Sequence, residues 1–131
     1  MLRNSELPPD RWAPSLVDTF FSNDSPPETI RKALSIVSDL HPGATRVAMQ
    51  AFAEADLRDV LSRINVPTLV LCGEEDVRAP RHVWEALHSG ISGSKLVRIP
   101  RVGHVIDIEA ADRFNTEVKA FLRAQSQDTR G

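Results

Sequence analysis

"VPTLVLCGEEDVRAP", residues 66–80, sets an apolar run against a glycine followed by three carboxylates. The run from Thr68 to Cys72 is too short for a helix and rich in branched side chains, which is how a strand buried on both faces reads. A second stretch, "LVRIPRVGHVIDIE", residues 96–109, has the same shape but ends in Gly103-His104. One run ends in acid and the other in imidazole. That pairing invites a catalytic reading, and the rest of the chain decides how complete it can be.

Between and after these runs the pattern turns helical. Val83, Trp84 and Leu87 mark a helix over residues 81–88, "SGISGS" is the turn that follows, and residues 95–99 form the second strand. Phe114, Val118, Phe121 and Leu122 mark an amphipathic helix over residues 109–124. The second half is therefore strand–helix–strand–helix, an α/β unit that predicts parallel strands. The first half reads as helix throughout. Residues 14–22 carry Leu16, Val17, Phe20 and Phe21 at helical spacing. "SPPE" predicts a helix start, with Ser25 as cap and Glu28 as its capping-box partner, and Ile30, Ala33, Leu34, Val37 and Leu40 supply the stripe. "HPG" at residues 41–43 ends that helix. A third helix over residues 44–55 shows Val47, Ala48, Ala51 and Phe52 on one face, and a fourth turns Leu57, Val60, Leu61 and Ile64 inward. Residues 1–11 read as a loose arm and the terminal "SQDTRG" as frayed. The junction Asn65-Val66 divides a helical part, residues 1–65, from an α/β part, residues 66–131.

The bulk numbers narrow the classes. A chain of 131 residues with 41% hydrophobic side chains suits one domain with one core. The 16 basic and 18 acidic residues nearly balance at −2, which gives no support for nucleic-acid or membrane-surface binding. One cysteine excludes an internal disulfide framework. No stretch reads as a signal peptide or a transmembrane helix, so a cytoplasmic protein is expected.

In parallel α/β sheets, ligands bind at the carboxyl ends of strands. Asp76 and His104 each lie just past such an end, on loops that adjacent strands would set side by side. An aspartate there can accept the imidazole Nδ1–H, fix the tautomer and stabilise the imidazolium, the supporting half of a nucleophile–His–Asp arrangement. Gly73 and Gly103 suit tight turns that expose the next side chain.

With "GSKLVRIPRVGHVIDIEAADRFNTEVKAFL" added, the pattern over residues 66–122 resembles the C-terminal part of an α/β-hydrolase-fold enzyme. That family writes a strand, G-x-x-D, a proline four residues later, a helix, a strand, G-H, and a Glu that opens the last helix. The matching positions are Gly73, Asp76, Pro80, Gly103, His104 and Glu109. "HPGATRVAMQAFAEADLRDVLSRI" resembles the end of the helical cap in esterase-like, enol-lactonase-like and C–C-bond hydrolases. The resemblance implies a partial α/β-hydrolase fold, a cap remnant followed by the last two strands. It implies Asp76 as catalytic acid, His104 as general base, and hydrolysis of a small ester, lactone or C–C bond.

The family's nucleophile sits in a G-x-S-x-G elbow between strand and helix. The 131 residues hold none; "GISGS" at residues 90–94 lies between a helix and a strand, the reverse context, and the His-Gly oxyanion loop is also absent. The expectation is therefore a chain lacking the nucleophile half: a piece of a hydrolase, a non-catalytic remnant that dimerises or binds a partner, or the product of a misplaced start. The strand at residues 68–72 would offer its free edge to an N-terminal half or to a second copy. Other residues have plainer readings. Glu75 is Asp76's rival within the turn. Cys72 is a small buried residue, and Trp84 packs on the sheet. His82 and Glu85 lack a third ligand for zinc, so no metal and no cofactor is expected. Arg78 and Arg101 could hold an anionic substrate but read as surface charge. Glu109 reads as a carboxylate favoured by a helix N-terminus.

Overall fold

A computed structural model of the chain describes residues 8–128. Residues 1–7 of the arm expected over residues 1–11, and the last three residues of the tail, lie outside the described residues. The described part of each is helical, Pro9–Trp12 (α1) at one end and the last helix, which runs to Asp128, at the other.

The order is α1, a 3₁₀ turn at Ala13–Leu16, α2 (Val17–Phe20), α3 (Pro27–Ser38), α4 (Pro42–Glu54), a 3₁₀ helix at Arg58–Arg63, β1 (Leu69–Gly73), α5 (Arg81–Gly90), β2 (Lys95–Ile99), α6 (Ile106–Glu109) and α7 (Ala111–Asp128). The two strands pair in parallel, with Leu69 opposite Lys95 and Gly73 opposite Ile99. The α/β reading therefore holds, and α5 is the crossover that parallel pairing requires. Pairing continues past β1, where Glu74 N–H donates to Ile99 O at 3.0 Å and Glu75 N–H to Val102 O at 3.0 Å. These bonds hold the two outgoing loops together.

Four local readings need correction. Ser25 does not cap α3; Pro26 occupies that position without a side-chain bond, and the Ser25 hydroxyl is committed elsewhere. α4 starts at Pro42, where a first-turn proline costs no hydrogen bond, and His41 caps it by accepting from Ala44 N–H at 3.4 Å. Residues 58–63 form a 3₁₀ helix, whose period of three splits the expected inward face into two rows. Leu61 and Ile64 are half-buried, whereas Leu57 and Val60 are exposed. The last helix is broken at Ala110, with φ −132° and ψ 47°, so Glu109 ends a short helix and does not open the long one.

The buried apolar side chains are Trp12, Ala13, Leu16, Phe21 and Ala33 from the helical half, and Cys72, Trp84, Ile91, Ile99 and Val102 from the α/β half. Trp84 faces inward from α5, as expected. Leu69, Val70 and Leu71, expected to be buried on both faces, are half-buried, because the sheet has two strands and the other edge of β1 has no strand beside it among the described residues. Val47 and Phe52 of α4 are 69% and 75% exposed, so the apolar face read on this helix is uncovered. Among the described residues no helix is long and apolar enough to cross a membrane.

Candidate functional site

The loop after β1 is a tight turn, with Asp76 N–H donating to Gly73 O at 3.3 Å. Asp76 Oδ1 then accepts from Arg78 N–H at 2.8 Å and Ala79 N–H at 3.0 Å. The short side chain thus organises its own turn, as aspartates at such positions do. Oδ2 is left for His104, whose Nδ1 lies 2.9 Å away. An ionised carboxylate only accepts, so Nδ1 carries the hydrogen and donates it. Asp76's side chain is 7% exposed and His104's 37%, so the acid is sheltered while the imidazole reaches solvent. Burial is the largest single influence on Asp76 and favours its neutral form. The bonds from Ala79 N–H, His104 and Arg78 N–H together outweigh it, and the carboxyl lies below the usual range.

The two glycines earn their places by close approach rather than by unusual backbone angles. A Cβ on Gly73 would lie 2.2 Å from both Val102 O and Gly103 O. A Cβ on Gly103 would lie 2.8 Å from Phe20 O, Phe21 C and Ser22 N. Only glycine, which carries a second hydrogen where other residues carry Cβ, lets these chains pass. Positive φ is found instead at Gly93 and, within the histidine loop, at Arg101 with φ 58°.

The chain that passes Gly103 is residues 20–25, which sequence reasoning left out of the site. Phe20 O accepts from His104 N–H at 2.8 Å and Val105 N–H at 3.3 Å. The Phe20 ring lies 5.2 Å from the His104 ring, tilted by 51°. Arg78 sits over the Phe20 ring at 4.6 Å, so this cation stands against the site through an aromatic face rather than as plain surface charge. Glu109 closes the arrangement. Its Oε2 accepts from Gly103 N–H at 2.8 Å, and its Oε1 accepts from Ser22 N–H at 2.8 Å, Ser22 Oγ at 2.7 Å and Ser25 Oγ. Glu109 is therefore a staple between the histidine loop and residues 22–25, not a carboxylate at a helix start. The only sequence signal for it was its place after Gly103-His104. Phe20, Ser22 and Ser25 gave none, since their partners His104 and Glu109 lie more than 80 residues away.

The remaining candidates fall where their plainer readings put them. Glu75 and Arg101 are exposed. Cys72 is buried, and that burial pushes its thiol pKa up, away from reactivity. Glu85 is paired with Arg81 at 2.7 Å, and His82 is exposed. Ser94 stands 2.8 Å from His88 Nδ1 in an exposed turn and donates to His88 O at 3.1 Å.

No family model matches the chain. It is 32% identical over 81 residues to a pimeloyl-[acyl-carrier protein] methyl ester esterase of Neisseria meningitidis, a match covering 62% of this chain and 32% of that protein. It is 31% identical over 102 residues to the AB hydrolase superfamily protein YisY of Bacillus subtilis, covering 78% of this chain and 38% of YisY. A thermophilic esterase from Thermogutta terrifontis superposes with a TM-score of 0.83 at 27% identity, covering 93% of this chain and 46% of the esterase. The chain thus spans about a third of the length of the curated relatives it matches and under half of that solved structure.

Proposed function

We propose, for a chain that carries the C-terminal part of an α/β-hydrolase fold, that Asp76 and His104 are the acid and the general base of a nucleophile–His–Asp triad. The observation that carries this reading is the 2.9 Å Nδ1–Oδ2 contact at the carboxyl ends of two adjacent parallel strands. Donating Nδ1–H to Asp76 leaves Nε2 as the ring nitrogen with a lone pair. It takes the nucleophile's proton as that group attacks the substrate carbonyl, and returns it to the leaving oxygen. The carboxylate stabilises the imidazolium between these steps without taking the proton itself.

The relatives point to a small carboxylic ester as substrate; a lactone is its cyclic form. In this reading the nucleophile and oxyanion donors come from polypeptide other than these 131 residues. Residues 1–65 then hold the end of the cap, residues 66–131 belong to the catalytic core, and the whole works in the cytoplasm. A second reading, a non-catalytic remnant that dimerises or docks a partner, is favoured by the uncovered apolar side chains of α4.

The test is to extend the coding frame upstream, look for an in-frame G-x-S-x-G, and assay the joined product on short p-nitrophenyl esters. Turnover falling about 10²–10⁴-fold in His104→Ala supports the triad, since that is the usual worth of a positioned base. Undiminished turnover in that variant would defeat it.

A further inference from the structure

We infer that Glu109 is a positioning residue, which sets the His104 imidazole against Asp76 by locking the histidine loop to residues 20–25. The geometry is that of a two-sided clamp. One carboxylate oxygen holds Gly103 N–H at 2.8 Å, next in sequence to His104. The other gathers three donors from Ser22 and Ser25. The gathered segment continues directly into Phe20, whose carbonyl takes the N–H groups of His104 and Val105 and whose ring flanks the imidazole. Phe20 also carries Arg78, two residues beyond the acid, and Thr19 Oγ1 lies 3.5 Å from the same guanidinium. The loops bearing the acid and the histidine are thus gripped by one stretch of chain, and Glu109 fixes that stretch to the histidine loop.

An acceptor for four donors is what the site demands. A glutamine has the same shape, but its amide nitrogen accepts nothing. Turned one way it sets its NH2 against Gly103 N–H, and turned the other way against Ser22 N–H, a backbone donor that cannot rotate as the serine hydroxyls can. The loops then lose their register, and His104 loses its aim at Oδ2.

The consequence for catalysis rests on the triad reading, but the test does not need turnover. In the full chain with labelled histidines, nitrogen NMR reports which ring nitrogen of each neutral imidazole carries hydrogen. His104 in the parent is expected to hold it at Nδ1, with the exposed His82 as internal reference for an unconstrained ring. Glu109→Gln is expected to cut the Nδ1–H fraction of His104 at least two-fold toward that of His82. Ser25→Ala, which removes one donor and no charge, is expected to shift it in the same direction by less. A Glu109→Gln chain that melts earlier but keeps the parent tautomer at His104 would overturn the proposal and leave Glu109 a purely structural staple. Should that variant not fold, an unchanged tautomer in Ser25→Ala overturns it equally. A triad reading refuted by an active His104→Ala enzyme would leave these tautomer results standing, so the two failures are distinguishable.

Discussion

Replacing Gly103 with alanine tests the claim that the histidine loop is clamped by backbone contact. The added Cβ would stand 2.8 Å from Phe20 O, Phe21 C and Ser22 N, all backbone atoms that cannot rotate aside. Ordinary contact begins at about 3.4 Å, so residues 20–22 must retreat by roughly 0.6 Å or more, and inserting a methyl into so tight a place costs about 1–3 kcal/mol. That retreat pulls on the His104 N–H bond to Phe20 O and the Gly103 N–H bond to Glu109, each worth about 0.5–1.5 kcal/mol net. Loss of one of the two brings the total to about 2–4 kcal/mol. With a urea slope of about 2 kcal/mol/M, the unfolding midpoint falls by about 1–2 M. Gly43→Ala is the matched control. It lies in the first turn of α4, where the new methyl meets only the His41 side chain at 3.3 Å. Stiffening the unfolded chain there should leave stability unchanged or raise it by about 0.4–1 kcal/mol. A Gly103→Ala chain within about 0.5 kcal/mol of its parent, the usual scatter of an unremarkable surface change, would refute the clamp.

Acid sensitivity follows from Asp76, whose carboxyl is lowered in the folded state. A depressed folded pKa gives stability that is present above the unfolded value of about 3.9 and is lost as pH falls through the folded one, so the stability gap between parent and Asp76→Asn should shrink below about pH 4 in urea titrations. The 131-residue chain alone should hydrolyse p-nitrophenyl esters no faster than a heat-treated control, because a positioned base without nucleophile or oxyanion donors lacks the steps it serves; turnover abolished by His104→Ala would contradict this and send attention to Ser94. The open edge of β1 carries N–H and C=O groups with no neighbouring strand among the described residues, and each one buried unpaired costs about 1–3 kcal/mol. Light scattering over a dilution series should therefore show dimers or larger species, and a cooperatively unfolding monomer at every concentration would count against the idea.

Local pattern made the α/β half legible. The run at Thr68–Cys72 lies one residue from the observed strand, and the second strand falls where its residues placed it, because short branched runs between helical periods admit few alternatives. Asp76 and His104 were legible for a related reason: each follows directly on a strand end, so parallel pairing alone brings their loops together. What local pattern could not carry is what distant residues impose. The sequence "IDIEAADRFNTEV" favours helix without a break, yet the chain interrupts it at Ala110, beside a Glu109 turned toward Gly103 and Ser22. Tertiary bonds override propensity there. Ser25 has every mark of a helix cap, but a half-buried carboxylate with lone pairs to fill is the stronger claim on its hydroxyl. Phe20 and Phe21 read alike, as two members of one apolar face. Phe21 is buried, whereas Phe20 turns its ring to the histidine and its carbonyl to the histidine loop.

That difference bears on how the chain should be divided. Composition changes at Asn65-Val66, and a boundary there separates helices from strands. The candidate dyad, however, is held from the far side of that line. Asp76 makes its own turn with Arg78 and Ala79, so the acid is positioned by its immediate neighbours. His104 has no such local support: Arg101 before it is in a left-handed conformation, and its own N–H is satisfied by Phe20, 84 residues upstream. The acid is thus built into the strand loop, while the base is held by the helical half through Phe20, Ser22 and Ser25, to which Glu109 of the α/β half ties the histidine loop. The helical half is in this sense part of the site, whatever else it covers.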